Sequence, residues 1–321
     1  MSYAIVIDQP GDSSVLNYRE VADPVAGPGE VLIRTTAIGI NFIDIYHREG
    51  KYPVDYPFTP GAEAVGTIVA LGEGVTGLAV GDRIATTEAK RAYAELVVVP
   101  AEGALPVPAE LSDDVAVALP LQGMTAHYLV NSSFPLEAGQ TCIVHAAAGG
   151  VGLLLTQMAK AKGARVIATV STPEKEILAR EAGADVVLGY DDFSAQAREL
   201  TDGLGVHVVY DGVGKTTFDA SLAALRVRGV LVSFGSASGA VAPLDVSRLA
   251  QGGSLTVTRP TLWSFLQTPE ERAWRWGEVS AAAASGQLHV RVGAVFPLSD
   301  TAGAHDALTG RHTSGKVVLI P

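Results

Sequence analysis

The chain carries one cysteine in 321 residues, Cys142. A single thiol cannot close an internal disulfide, and such sparse usage fits a reducing cytoplasm. Nor can it build the multi-thiolate cages of structural zinc. Basic residues are also few: 23 Lys and Arg face 34 Asp and Glu, a formal net charge of −11. That balance disfavours non-specific attraction to nucleic acid or anionic membrane, while leaving room for a local basic groove around one phosphate. No apolar run reaches the roughly 18 residues needed to cross a bilayer. Met1 to Asp8 lack the basic start and apolar core of a secretory signal. What is present is a hydrophobic content of 48% and enough length for two ordinary domains with a large core.

The most informative stretch is Ile143-Val-His-Ala-Ala-Ala-Gly-Gly-Val-Gly152. It reads as a buried strand, a turn of small residues and a helix. The apolar spacing Val151, Leu154, Leu155 and Met158 supports the helix, and Gly163 is placed to end it. The turn is a variant dinucleotide fingerprint, A-x-G-x-x-G, with Ala147, Gly149 and Gly152 at the three positions. The small first residue permits a tight turn, Gly149 lets backbone N–H groups approach a pyrophosphate, and Gly152 lets helix and strand pack closely. The helix N-terminus offers free donors and partial positive charge to the anion.

The end of the next strand bears on which dinucleotide binds. Ala164 to Val170 is that strand, and an NAD site would usually place Asp or Glu after it to hold the ribose 2′-hydroxyl. Here Ser171 stands there instead, followed by Thr172, Pro173, Glu174 and Lys175. No carboxylate repels a 2′-phosphate, and Lys175 follows one turn into a helix, which favours NADPH. Ser171 or Thr172 also suits an N-cap, with Pro173 at the first helical position. The two uses of one helix end are compatible.

The first 125 residues alternate glycine and proline punctuation with short β-rich runs such as Glu30 to Thr36, Ala64 to Leu71 and Ala92 to Val99, which reads as an irregular antiparallel barrel. From about Gly139 strands and helices alternate. Strands are predicted near 141–146, 165–170, 185–189, 206–211, 229–234 and 254–258, the count of a doubly wound parallel sheet. Past Arg259 come a Trp-containing helix and a last β-like segment, Lys316 to Ile320, where the chain is expected to return to the first domain.

Several segments, taken in order, resemble the medium-chain dehydrogenase/reductase superfamily, and within it the zinc-free NADPH:quinone oxidoreductases that include the ζ-crystallin-like proteins. They are Gly39-Ile-Asn-Phe-Ile-Asp-Ile-Tyr46, Pro60-Gly-Ala-Glu-Ala-Val-Gly66, Gln122-Gly-Met-Thr-Ala126 and His145 to Gly152, then Val232-Ser-Phe-Gly-Ser236, Val257-Thr-Arg-Pro260 and Gly315-Lys-Val-Val-Leu-Ile-Pro321. The resemblance implies a GroES-like irregular β-barrel domain over 1–125, completed by 260–321, and a Rossmann-type doubly wound NADPH-binding domain over 126–259. It also implies a homodimer built through the nucleotide-domain sheets. Zinc-dependent members carry G-H-E-x-x-G where this chain has Gly61-Ala62-Glu63-Ala64-Val65-Gly66, so Ala62 replaces the metal-binding His. Their catalytic Cys and four-Cys lobe are missing too, and the seven histidines show no paired ligand spacing, so no metal site is expected.

Without a Lewis acid, hydride passes most readily to an acceptor that is already electron-poor, such as a quinone. By resemblance, Asn41 and Tyr46 line the cleft from the barrel side as hydrogen-bond donors to the acceptor oxygen, and Thr125 lies near the nicotinamide; the alternative is that Tyr46 packs between domains and Asn41 caps a turn. On the cofactor side Gly149, Gly150 and Val151 are expected to present backbone donors to the pyrophosphate. Ser171, Lys175 and Tyr190 are expected around the 2′-phosphate and adenine, and Phe234, Gly235 and Ser236 at the carboxamide. Arg311 is carried over by resemblance as a reach from the tail. His145, at the end of a buried strand, reads as a hydrogen-bonded core residue. Reduction of an enone, alkenal or enoyl thioester needs the same hydride geometry. A non-catalytic crystallin or RNA-binding role is a further alternative, which the acidic balance disfavours.

Overall fold

Glycine and proline cut the first third of the chain into seven strands: β1 (Ser2–Val6), β2 (Asn17–Val21), β3 (Glu30–Ile40), β4 (Glu63–Leu71), β5 (Arg83–Thr86), β6 (Leu96–Pro100) and β7 (Leu105–Pro106). A short helix, α1 (Phe42–Arg48), joins β3 to β4, and another, α2 (Asp113–Ala116), follows β7. The middle of the chain opens with α3 (Met124–Tyr128) and then alternates: β8 (Thr141–Val144), α4 (Gly150–Ala161), β9 (Arg165–Thr169), α5 (Pro173–Glu181), β10 (Val186–Leu188) and α6 (Phe193–Glu199). It continues through β11 (Val206–Asp211), α7 (Phe218–Ala224), β12 (Leu225–Ser233), α8 (Ser247–Gln251) and β13 (Thr256–Thr258). Last come α9 (Pro269–Ala284), β14 (Val292–Pro297), α10 (Thr301–Thr309) and β15 (Lys316–Ile320). This computed structural model describes residues 1–321, and none of its helices is long and apolar enough to cross a membrane.

The chain divides into two units, Met1–Leu121 with Trp276–Pro321, and Gln122–Arg275. In the first unit the main sheet runs β14-β15-β3-β4-β5-β7, with β6 paired to β3. Strand β15 lies inside this sheet, antiparallel to β3 with Val318 opposite Gly39, and parallel to β14 on its other side. Val317 and Leu319 enter the core with Ile33, Ile38, Ile68 and Tyr93. Each such side chain contributes about 1.5–3 kcal/mol on burial.

The second unit has a six-stranded sheet in the order β10-β9-β8-β11-β12-β13, every neighbouring pair parallel. This is the doubly wound order in which the chain reverses beside its first strand, here β8. All four residues of β8 are buried, as expected for a strand covered on both faces. Residues 260–275, expected with the barrel, pack in this second unit. The reason is aromatic: Phe265 stacks on Tyr128 with ring centroids 4.4 Å apart. Arg275 then donates to Phe265 O and Ser132 Oγ and lies 3.2 Å from His127 Nδ1. Strand β14 was not anticipated from the sequence, because only alternate residues of Val292–Pro297 are half-buried and none is fully so.

Candidate active site

In the second unit the glycine-rich turn lies between β8 and α4. Ala146 adopts a left-handed backbone (φ 50°), and Gly149 caps α4 in an extended conformation while its N–H closes the turn on Ala146 O at 2.8 Å. The Gly149 N–H is thereby engaged within the turn. The first-turn N–H groups of Gly150, Val151 and Gly152 have no acceptor within the helix. Gly152 is demanded by packing, since its Cβ would meet backbone, whereas at Gly150 it would meet only the end of a flexible side chain. A Cβ on Gly152 would overlap Ala146 O and come within 2.7 Å of Ala147 Cα, and one on Gly150 would overlap the Gln122 carboxamide. The turn therefore fits a pyrophosphate cradle by both tests, open donors and an obligatory glycine at 152.

Thr172 is the N-cap of α5, accepting from Lys175 N at 3.4 Å, with Pro173 in the first helical position. Ser171 is left exposed just before the cap, and Lys175 is half-buried. Tyr190 lies on the turn itself: its hydroxyl accepts from Ala146 N at 3.1 Å, and its ring lies near-parallel to His145 with centroids 6.1 Å apart. Phe234, Gly235 and Ser236 follow β12, with Phe234 N and Gly235 N both donating to Asp211 O. Arg259 braces this loop through Ser233 O at 2.8 Å and Ser236 Oγ at 3.2 Å, a support the sequence reading left without a role. Thr125 is buried in α3.

His145 belongs to a closed network. Nδ1 lies 2.7 Å from Thr169 Oγ1 and Nε2 lies 2.9 Å from Ser221 Oγ. Asp211 Oδ2 accepts from Ser221 Oγ at 3.4 Å and from Thr217 Oγ1 at 2.8 Å. Ser221 thus spends its proton on Asp211 and receives one from Nε2, which leaves Nδ1 to accept from Thr169. Burial pushes the imidazole down to about 4, against the pull of Asp211. Every proton of the ring is used internally, and the residue is structural.

In the first unit the candidates Asn41 and Tyr46 share α1. Asn41 is its N-cap and is buried. Both ends of its amide are engaged inside the unit: Nδ2 donates to Glu63 Oε2 at 2.8 Å, and Oδ1 accepts from Lys316 Nζ at 3.0 Å. This geometry ties α1 to β4 and β15 through Asn41. Glu63 and Lys316 form a direct ion pair with both side chains fully buried, and Glu63 Oε1 also accepts from Leu121 N at 2.6 Å. Gly39 makes room for them, since its Cβ would overlap the Glu63 carboxylate and approach Lys316 Nζ to 2.8 Å. The sequence reading missed this pair. Its signal was one acid and one base, each embedded in an apolar strand.

Tyr46 is half-buried on the opposite face of α1, among Phe42 (centroids 6.3 Å apart), Tyr52 (5.5 Å, edge-on) and the Lys51 ammonium (5.7 Å from the ring centre). Arg311 follows α10 in the first unit with a left-handed backbone (φ 60°) and is exposed. No group of three His, Cys, Asp or Glu side chains is arranged to hold a metal ion.

A six-stranded doubly wound sheet opened by a glycine-rich turn, in a chain that also carries the barrel sheet, defines a medium-chain dehydrogenase/reductase. Residues 27–109 match the alcohol dehydrogenase GroES-like domain and residues 150–276 the zinc-binding dehydrogenase family. A quinone oxidoreductase of Pseudomonas aeruginosa is 43% identical, with 97% of each chain covered. A 2-haloacrylate reductase of a Burkholderia species is 40% identical over all of this chain and 99% of its own. Among solved structures, a mycobacterial protein complexed with NADPH superposes with a TM-score of 0.98 at 48% identity over the whole of both chains. The Escherichia coli quinone oxidoreductase complexed with NADPH gives 0.97 at 39% identity, covering 99% of this chain and all of the other. The chain belongs to the quinone oxidoreductase family.

Proposed function

We propose that this protein is an NADPH-dependent quinone reductase that transfers hydride without a metal. The observation that carries the cofactor reading is the pairing of the α4 cradle with Ser171 at the end of the second parallel strand, where no carboxylate opposes a 2′-phosphate. The first-turn N–H groups of α4 hold the pyrophosphate. Ser171 and Lys175 receive the 2′-phosphate, for which lysine is a suitable point charge. Tyr190 fixes the turn through Ala146 and flanks the adenine side. The Phe234–Ser236 loop, braced by Arg259, meets the carboxamide, with Thr125 beside the nicotinamide. When bound, NADPH supplies a hydride from C4 of its nicotinamide.

Tyr46 is the residue assigned to the acceptor, its phenol donating a hydrogen bond to the oxygen on which negative charge develops. A quinone delocalises that charge, so one well-placed donor and exclusion of water are adequate help. The likeness to a 2-haloacrylate reductase favours a second reading, reduction of another electron-poor alkene on the same framework. The barrel unit is read as the substrate domain and the parallel-sheet unit as the cofactor domain of a cytoplasmic homodimer. The net charge of −11 supports a small-molecule acceptor over nucleic acid as partner.

The test is loss of reduced-nicotinamide absorbance with NADPH or NADH, using a small benzoquinone, a polycyclic quinone, 2-chloroacrylate and a simple alkenone as acceptors. Fast turnover of quinone with NADPH, and little with NADH, is the expected result. Turnover of an alkene alone transfers the assignment to the second reading. No turnover of any acceptor by protein that binds NADPH overturns both.

A further inference from the structure

The helix that carries Tyr46 is held in place by polar groups. Helix α1 has only seven residues, too short to be stable on its own. Its inner face is the spacing 41, 44, 45, 48, one side of a helix, and of these only Ile45 is apolar. Three anchors replace the usual apolar stripe. Asn41 is gripped by Glu63 and Lys316. Asp44 Oδ2 accepts from Asn41 N and from Tyr93 Oη, both at 2.9 Å. Arg48 Nη1 lies 3.3 Å from His305 Nδ1, and the far nitrogen of that ring, Nε2, lies 3.1 Å from Tyr93 Oη. Tyr93 is therefore a hub joining the second anchor to the third, and its ring is fully buried and edge-on to His305.

Hydrogen bonds fix direction, whereas an apolar stripe tolerates small slides and rotations. Three such anchors, at residues 41, 44 and 48, set both the position and the rotation of α1, and with these the place of Tyr46 on its far side. We infer that Tyr93, Arg48 and His305 are positioning residues for the reduction reaction, acting on the acceptor only through the placement of Tyr46. This rests on the assignment of Tyr46 above.

The experiment is a double-mutant cycle of Tyr93→Phe with Tyr46→Phe, reading quinone kcat and KM at saturating NADPH, NADPH affinity and the thermal midpoint. Tyr93→Phe removes one hydroxyl from a buried ring and leaves its shape. In the Tyr46 parent it is expected to lower kcat/KM for quinone by about tenfold, the scale of a sub-ångström misplacement, with NADPH affinity unchanged. In the Tyr46→Phe background it is expected to cost nothing further, since no phenol remains to be placed. An equal loss in both backgrounds, or none in the parent, overturns the inference and leaves the Tyr46 assignment intact. Tyr46→Phe alone without loss overturns that assignment, and the positioning role with it. If Tyr93→Phe does not fold, Arg48→Lys at the other end of α1 enters the same cycle with the same expected pattern and the same refuting outcomes.

Discussion

Replacing Lys316 by Met should destabilise the barrel unit far more than its size change implies. Lys316 and Glu63 are both fully buried. The substitution removes the ammonium and leaves the Glu63 carboxylate inside the barrel with two of its donors, Leu121 N at 2.6 Å and Asn41 Nδ2 at 2.8 Å. Breaking a buried pair from one side costs about 3–5 kcal/mol, and the two surviving donors place this case near the lower end. For a unit of this size about 3 kcal/mol corresponds to a fall of roughly 6–12 °C in Tm. The compensating change is Glu63→Gln. With Lys316 gone, the Asn41 amide can turn over so that its oxygen accepts from the new Gln side-chain nitrogen, while Leu121 N keeps its acceptor. The double variant should therefore recover at least about half of the loss, since no charge is stranded. Thermal and urea denaturation of the parent, both single variants and the double measure this directly. A single Lys316→Met variant within about 1 kcal/mol of the parent, or a double variant as unstable as the single, refutes the reasoning.

Three further outcomes are expected. Ser171→Asp places a carboxylate where the 2′-phosphate is proposed to lie, so NADPH affinity should fall by about 30-fold or more while NADH gains; titration of both cofactors checks it, and unchanged preference argues against the assignment. Gly152→Ala forces a methyl onto Ala146 O and against Ala147 Cα, and should weaken NADPH binding by about tenfold or more together with a lower Tm. Burial holds His145 at about 4, below its ordinary 6.5. The unfolded chain takes up this proton below 6.5 and the folded unit resists it until about 4, so stability present above 6.5 is lost across that window at up to ~1.4 kcal/mol per pH unit. In the barrel unit His305, pushed by burial to about 3, acts in the same sense. Asp44, raised by burial to about 7, opposes it by taking up its proton earlier when folded. Urea midpoints between pH 7 and 4.5 should fall for the parallel-sheet unit and stay nearer level for the barrel; a level parallel-sheet transition would show that the depressed His145 is not felt.

What the sequence revealed follows from how local each signal is. The strand, turn and helix around Gly149 and Gly152 are contiguous, and all six parallel strands announce themselves as apolar runs between turns. The same locality explains why Thr172 and Pro173 could be read as a helix start. The internal partners of Asn41 are illegible locally because they are remote: Glu63 is 22 residues away and Lys316 is 275. Nothing in residues 39–46 says that the amide is already spoken for. The Gly149 N–H shows the same limit at short range, because a motif gives residue types and not which donor closes the turn. Residues 260–275 were assigned to the barrel for want of the Phe265–Tyr128 stack, a contact that no periodicity reports.

The place of β15 inside the barrel sheet sets an order on biosynthesis. Lys316 follows Glu63 by 253 residues, and the whole parallel-sheet unit is translated between them. A ribosome therefore delivers the parallel-sheet unit while the barrel sheet still lacks β15, with residues 38–40 of β3 unpaired on that side and Glu63 without its counter-charge. During that interval the nascent barrel is the fragile half of the molecule. Chaperone demand, and the damage done by a late frameshift or stop codon, should accordingly fall on the barrel, although most of its residues are the first to be made.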